Sequence, residues 1–171
     1  MEINKCFVYT FKLRGRKELI TGIVVDYSQE WIMIKYIPVD YVIDGYRIIK
    51  KKYISTFWRK DDEEFKEVVI KAKKIDFSNH KIIPIENTNE MFNFFLKNNI
   101  VIQFDLNDES IAYIGLLTKI LSKSFYIKNL SPKGIWIDEQ SFKIESIRTI
   151  QIDNDYIISL LALNPLADLG L

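Results

Sequence analysis

Hydrophobic residues along the first part of the chain occur in short runs, several of them alternating with polar residues. This pattern, rich in aromatic and β-branched side chains, is typical of β-strands. Polar turns, Pro38 and the Asp44-Gly45 pair separate the runs. Because so few residues cannot build a two-layer sandwich, the pattern favours a small, strongly bent barrel. The five strands predicted in this part are 6–13, 20–25, 31–37, 46–49 and 53–57.

The same pattern occurs a second time, at a constant offset of 93 residues. Gly22 and Gly115 are the clearest equivalent pair, and each lies inside a predicted second strand. A glycine within a strand indicates a sharp bend or a close approach of another backbone. An offset kept without a gap over this length indicates two copies of one structural unit. The strands predicted in the second copy are 100–106, 111–121, 125–130, 135–137 and 142–152.

Helical periodicity appears beside each set of strands. Asp61 is a candidate N-cap with Glu64 three residues later, and apolar residues then recur at helical spacing. A second helix is predicted from Asn87 or Thr88, and a third near the C-terminus, where Asn164-Pro165 ends it. The apolar residues that define the three helices are Phe65, Val68, Val69 and Ala72; Met91, Phe92, Phe95 and Leu96; and Ile158, Leu161 and Ala162.

These elements predict a mainly β protein with short helices. We expect two tandem five-stranded small barrels of the SH3-like type, each with an accompanying helix. The first domain covers residues 1–75 and ends with its trailing helix. Residues 76–87 form a linker. The second domain covers residues 88–171 and has both a leading helix and an apolar C-terminal helix.

Composition and charge narrow the classes of function. Hydrophobic residues make up 48% of the chain and aromatic residues 13%, which excludes a disordered chain. The net charge is only +1, which argues against a dedicated polyanion-binding protein. Residues 1–86 carry 17 basic and 13 acidic side chains, whereas residues 87–171 carry 7 and 10. This asymmetry indicates either head-to-tail association of the halves or drift in surface charge, and drift is the simpler interpretation.

The chain shows no membrane-spanning or export signal. The run MEINKCFVYTF lacks the pattern of a signal peptide, and no segment reaches the roughly 18 apolar residues of a membrane span. With Cys6 as the only cysteine, an internal disulfide is impossible. We therefore expect a cytoplasmic, soluble protein.

The order of a helix followed by five bent strands, with a glycine early in the second strand, resembles the Sm-like fold, including its bacterial Hfq branch. Residues 91–99 look like that family's N-terminal helix leading into 100–106, and Gly115 stands where the family has its glycine. In the first copy, Lys51 followed by 54–56 is similar to the turn and fifth strand of the Hfq branch. The resemblance covers roughly residues 7–58 and 88–152. It implies small barrels that assemble through strand edges and, in some members, bind RNA.

The residues that such RNA-binding members use are mostly missing here. The turn that carries Tyr-Lys-His in the Hfq branch reads Lys50-Lys51-Lys52 in the first copy and Lys143-Ile144-Glu145 in the second. Three adjacent cations contact phosphates without reading bases, and neighbouring tyrosines stack on bases. The simpler interpretation is a solvated hairpin whose lysines protect a strand edge, with the aromatic residues in a core or interface. The candidate nucleic-acid or partner contacts are Arg47, Lys50, Lys51, Lys52, Tyr53, Tyr27 and Trp31.

No residue pattern indicates catalysis, a metal site or a cofactor. The acidic run 61–64 is better explained by the positive end of a helix dipole than by a Mg²⁺ or Ca²⁺ site. Cys6 and His80 lie in different elements without a third orienting group, so a nucleophile and base pair is not supported. We therefore expect no enzyme, cofactor or metal.

Two hypotheses of function remain. The favoured one is a non-enzymatic interaction or assembly module whose partner is another protein or a second copy. The alternative is an RNA-binding protein that uses the basic turn of the first copy. The apolar C-terminal run 157–171 is expected to pack partly on a barrel and partly on a partner.

Overall fold

A computed structural model describes residues 2–108 and 110–163 of the protein. The chain divides into two compact units, Met1–Asn87 and Thr88–Leu171. Ten strands and three α-helices are present among the described residues, and every strand pairing given below is antiparallel. The mainly β class with short helices is therefore confirmed.

The first unit consists of five strands followed by one helix. The strands pair in the order β5-β1-β2-β3-β4. A short 3-10 helix, Lys51–Tyr53, joins the last two strands. The elements are β1 Val8–Leu13, β2 Leu19–Tyr27, β3 Trp31–Tyr36, β4 Tyr46–Lys50, β5 Ile54–Trp58 and α1 Asp61–Ala72.

The second unit begins with a helix, continues with five strands and ends with a second helix. Its strands pair in the order β10-β6-β7-β8-β9, which is the order of the first unit. A 3-10 helix, Ile144–Ser146, again precedes the last strand. The elements are α2 Thr88–Lys97, β6 Val101–Asp105, β7 Ala112–Ile120, β8 Ser124–Leu130, β9 Trp136–Lys143, β10 Thr149–Ile152 and α3 Asp155–Leu163.

Closed five-stranded barrels are not confirmed. Closure requires hydrogen bonds between the first and last strands of the pairing order. In the first unit β5 pairs with β1 and is not a neighbour of β4, and in the second unit β10 likewise is not a neighbour of β9. Within each unit, the described strands therefore form an open antiparallel sheet.

The repeat extends to the register of the strands. Gly22 pairs with Tyr36, and Gly115 pairs with Asn129. Each residue of the second pair lies 93 residues after its equivalent in the first pair. The register shifts between Val24 and Asp26 in β2, and at the equivalent point in β7. The two 3-10 helices are related by the same offset. Both copies therefore keep the irregularities of the sheet as well as its strand order.

Gly22 and Gly115 lie where a neighbouring backbone approaches too closely for any side chain. A Cβ atom at Gly22 would lie 2.4 Å from the carbonyl oxygen of Lys35, and one at Gly115 would lie 2.1 Å from that of Lys128. Lys35 and Lys128 are themselves equivalent residues of β3 and β8. The prediction of a close backbone approach at both glycines is confirmed.

Each unit has its own apolar core. Tyr9, Phe11, Ile20, Ile32 and other strand residues form the core of the first unit. In the second unit aromatic rings dominate, and α2 covers them: the Phe92 ring lies 5.0 Å from that of Phe125. Helix α3 packs Ile157 and Leu160 against Val101 and Leu116. The predicted leading and trailing helices of the second unit are thus present and buried on one face.

Two predictions about the second unit are wrong in detail. The run 142–152, expected as one strand, is divided by the 3-10 helix Ile144–Ser146. The short strand expected at 135–137 is the beginning of the longer β9, which extends to Lys143. Most of β9 is exposed on both faces, so its polar residues do not follow the alternation that marks a half-buried strand. The expected contacts of Leu166, Leu169 and Leu171 lie outside the described residues.

Helix α1 is present as predicted, but its buried face is not the predicted one. Phe65 and Val68 are 59% and 63% exposed, whereas Glu63 and Glu67 are buried together with Ile70. The N-cap is Lys60, whose N–H donates to Glu63, so the expected pairing of Asp61 with Glu64 is wrong. The buried glutamates are satisfied by hydrogen bonds from β1, which explains why they displace the apolar stripe from the interface.

Candidate functional site

The predicted contact residues of the first unit lie near the β3–β4 hairpin and the 3-10 helix that follows it. Lys50 is buried, and its Nζ lies 5.1 Å from the centroid of the Trp31 ring. Trp31 is fully buried in the sheet. These two residues therefore stabilise the hairpin by a cation–π contact, and the side chain of Trp31 presents no surface to a base.

Arg47 is buried beside the half-buried Glu18 and Tyr36. Its guanidinium donates to both carboxylate oxygens of Glu18, at 2.7 and 3.0 Å, and stacks over the ring of Tyr36 at 5.1 Å. The bidentate geometry is the strongest form of ion pair. Burial, the largest single influence, would raise the pKa of Glu18, but the hydrogen bonds and charge of Arg47, the charge of Arg16 and a hydrogen bond from Tyr36 together lower this pKa. Arg47 thus holds the β2 and β4 segments together.

We expect the contribution of this ion pair to disappear in acid. Because the pKa of Glu18 is lower in the folded protein than its ordinary value of 4.5, the stabilisation is complete above that pH and is lost as pH falls through the folded value. Urea unfolding of the wild type and of Glu18→Gln, measured from pH 7 to pH 3, should show a stability difference that shrinks below about pH 4.5. Glu30→Gln serves as the control on an exposed carboxylate. A difference that stays constant down to pH 3 would contradict this assignment.

The remaining predicted contacts are more accessible. Lys51 donates from Nζ to the carbonyl oxygen of Ser28 at 2.9 Å, which ties the 3-10 helix to the β2–β3 turn. Lys52 is exposed, with Nζ 4.8 Å from the centroid of the half-buried Tyr53 ring. Tyr27 is exposed at the end of β2, beside Lys5. Contact with nucleic acid by any of these side chains stays a prediction.

The structure does not bring the other candidate groups into a reactive arrangement. His80 contacts the carbonyl oxygen of Ser78 at 2.7 Å, and Cys6 packs beside an apolar cluster with Val8 and Phe77. The described part of the chain contains no group of three or more His, Cys, Asp or Glu side chains that is arranged to hold a metal ion. None of the described helices is long and apolar enough to cross a membrane.

Sequence reasoning missed a polar network between α1 and β1. Glu67 Oε1 accepts from the backbone N–H of Val8 and from Nε of Arg59, both at 2.9 Å. Glu63 Oε1 accepts from the hydroxyl of Thr10 at 2.7 Å. The only signal in the sequence is the four-residue spacing of the two glutamates, which places them on one helical face.

β5 and β9 each have one neighbouring strand among the described residues. β5 pairs with β1, and β9 pairs with β8, and these two strands end the pairing order. In β9 the five residues from Ile137 to Ser141 are all exposed. Ser55 and Thr56 are exposed in β5. Unpaired N–H and C=O groups along such strands form a template for another strand.

The residues next to the two edges differ in charge. Lys51 and Lys52 lie in the 3-10 helix before β5, and Lys60 follows β5, directly ahead of the acidic run 61–64. β9 carries Asp138 and Glu139 at its exposed centre. Opposite charge across two strand edges favours pairing of one with the other over pairing of like with like.

No family model, curated protein or solved structure matches this chain. The arrangement of its own residues is therefore the basis for a functional proposal.

Proposed function

We propose that the protein is a non-enzymatic assembly module, built from two Sm-like units, that associates with further copies through its strand edges. The observation that carries this proposal is the pair of strands β5 and β9, each with one neighbour among the described strands, with lysines before β5 and two carboxylates at the centre of β9. Pairing β5 of one copy with β9 of another is a head-to-tail contact. Contacts of this type generate rings if the rotation closes and filaments if it does not.

The Sm-like assignment is supported by the order of elements in the second unit. Helix α2 leads directly into five strands, and Gly115 lies early in the second of them. The first unit repeats the strand order, the glycine and the 3-10 helix before the last strand. Small barrels host many unrelated functions, so the argument for assembly depends on the edges and not on the fold.

The alternative, RNA binding by the first unit, has less support from the geometry. Arg47, Lys50 and Trp31 are buried in contacts within the unit, and Lys51 is engaged with Ser28. Exposed cationic charge at this turn is thereby concentrated on Lys52. One such lysine neutralises about one phosphate, which is far fewer than the roughly 6–10 contacts of a strongly salt-dependent binder.

Blocking the β9 edge tests the proposal. Ile137 is 49% exposed on β9, and a lysine there would place an extra charge in the pairing edge. We expect the wild type to sediment as a particle larger than one chain at micromolar concentration, and Ile137→Lys to form a smaller one. The matched control is Ile111→Lys, which makes the same change at a 46% exposed isoleucine outside the strands and should leave the particle unchanged.

Two outcomes would contradict edge pairing. One is a wild-type protein that remains a single chain throughout the concentration range. The other is a particle of unchanged size in Ile137→Lys, since that result would locate any association at a different surface.

A further inference from the structure

The outward face of α1 is apolar and largely exposed. Phe65 and Val68 are more than half exposed, and Ala72 is exposed on the same side. The residues directed into the unit are Glu63, Glu67 and Ile70, which lie on the opposite side of the helix. A helix that exposes its apolar stripe and buries its glutamates has the inverse of the usual surface pattern.

Neighbouring side chains extend this apolar face. The ring of Tyr41 makes an edge-to-face contact with that of Phe65, at 6.2 Å between centroids. Lys73 donates from Nζ to the carbonyl oxygen of Tyr41, which fixes the loop against the helix. Val39 and Val42 in the same loop are exposed. We name the surface formed by Tyr41, Phe65 and Val68 the α1 face. Contiguous exposed apolar surface of this kind marks an interaction site.

The charges along α1 indicate what covers the face. The first turn carries the exposed Asp61, Asp62 and Glu64, whereas Lys71 lies in the last turn. Phe65 and Val68 stand symmetrically about the middle of this 12-residue helix. When two such helices pack antiparallel about a two-fold axis, the acidic end of each lies against the basic end of the other, and Phe65 of one meets Val68 of the other. The helix is therefore complementary to a second copy of itself.

We propose that the α1 face is a two-fold dimer interface between two copies of this chain. In this arrangement Lys71 of one copy lies within about one helical turn of Glu64 and Asp61 of the second copy, because all three lie along the same stripe. Within its own copy, Glu64 is also paired with Arg59, and the Nζ of Lys71 lies 5.3 Å from the centroid of the Phe77 ring. The contact is isologous, since the same patch is used by both copies. One helix and one loop from each copy make a small interface, so the dimer is a weak one that forms at about micromolar concentration.

This dimer is independent of the β5 and β9 edges, and the test uses that independence. Sedimentation velocity over a concentration series is measured on Ile137→Lys, in which edge pairing is blocked. We expect a reversible dimer in this variant and a single chain after Val68→Lys is added. The matched control adds Ile158→Lys, which introduces the same charge at a 56% exposed residue of α3 and should leave the dimer intact.

A charge exchange tests the antiparallel geometry. In the Ile137→Lys background, Glu64→Lys and Lys71→Glu should each weaken the dimer about tenfold, because each places like charges opposite one another. The variant that carries both exchanges should recover most of the affinity. Circular dichroism and thermal unfolding of every variant show that the fold is kept.

Three outcomes overturn the dimer. A single chain in Ile137→Lys at every concentration up to hundreds of micromolar excludes the α1 interface while leaving edge pairing in place. Equal effects of Val68→Lys and Ile158→Lys exclude it as well. No recovery in the double exchange excludes the antiparallel two-fold arrangement. A fourth outcome concerns edge pairing instead. If Val68→Lys alone abolishes association and Ile137→Lys alone leaves it unchanged, edge pairing is excluded and the dimer is retained.

Discussion

Gly115→Ala should destabilise the protein by about 3 kcal/mol or more, which is among the largest effects we expect from one added methyl group. The new Cβ would lie 2.1 Å from the carbonyl oxygen of Lys128 and 2.9 Å from its carbonyl carbon. Both are backbone atoms of the paired strand, so a change of rotamer cannot relieve the overlap. The strands β7 and β8 must separate locally, and the free energy of unfolding in urea measures the cost.

Gly22→Ala should give a similar loss because its Cβ would lie 2.4 Å from the carbonyl oxygen of Lys35. The control is Gly15→Ala, at a turn where nothing lies within 4 Å but φ is +71°. That substitution should cost only the backbone strain of the left-handed region, about 1–2 kcal/mol. If Gly115→Ala proved no more destabilising than Gly15→Ala, that result would contradict the close approach of β7 and β8 at Gly115.

Glu67→Ala should reduce the free energy of unfolding by about 3 kcal/mol. The substitution removes a buried carboxylate and leaves the N–H of Val8 without its acceptor. It also removes the two hydrogen bonds that Arg59 makes with that carboxylate. A buried donor left without an acceptor costs more than the net value of the hydrogen bond itself.

Glu64→Ala is the matched control, because Glu64 is also paired with Arg59 but is 53% exposed. It should cost less than about 1 kcal/mol, as exposed ion pairs do. Glu67→Gln keeps the side-chain shape and an acceptor oxygen, and should lie between the two. Equal effects of Glu64→Ala and Glu67→Ala would show that α1 does not depend on the buried carboxylate.

The strand pattern was predictable because it depends on local sequence. Apolar alternation located most of the strands to within a few residues, and the 93-residue offset located the second copy. The close approach at Gly22 and Gly115 was predictable for the same reason, since a glycine inside a strand pattern usually marks a bend or a nearby backbone. The strand predicted at 135–137 was shorter than β9, because the centre of β9 is exposed on both faces and therefore shows no periodic pattern of apolar residues.

The orientation of α1 was not predictable from periodicity. Its apolar stripe is genuine, but the partners that decide which face is buried lie far away in sequence: Val8 is 59 residues from Glu67, and Thr10 is 53 residues from Glu63. Several of the predicted contact residues are buried rather than exposed, for a related reason. Arg47 and Lys50 look solvated in the sequence, yet Glu18 and Trp31 from other segments enclose them.

The hydrogen bond from Val8 to Glu67 has a consequence for the way the first unit opens. β5 pairs with β1 only as far as Thr10, so Val8 lies beyond the end of β5. There the carboxylate of Glu67, from α1, accepts the hydrogen bond that a neighbouring strand would otherwise accept. The Val8 amide is therefore shielded from exchange with solvent only while the helix is docked. Departure of α1 exposes that amide and uncovers the two glutamates at the same moment. The trailing helix and the first strand thus belong to one cooperative unit of unfolding, although they are far apart in the chain.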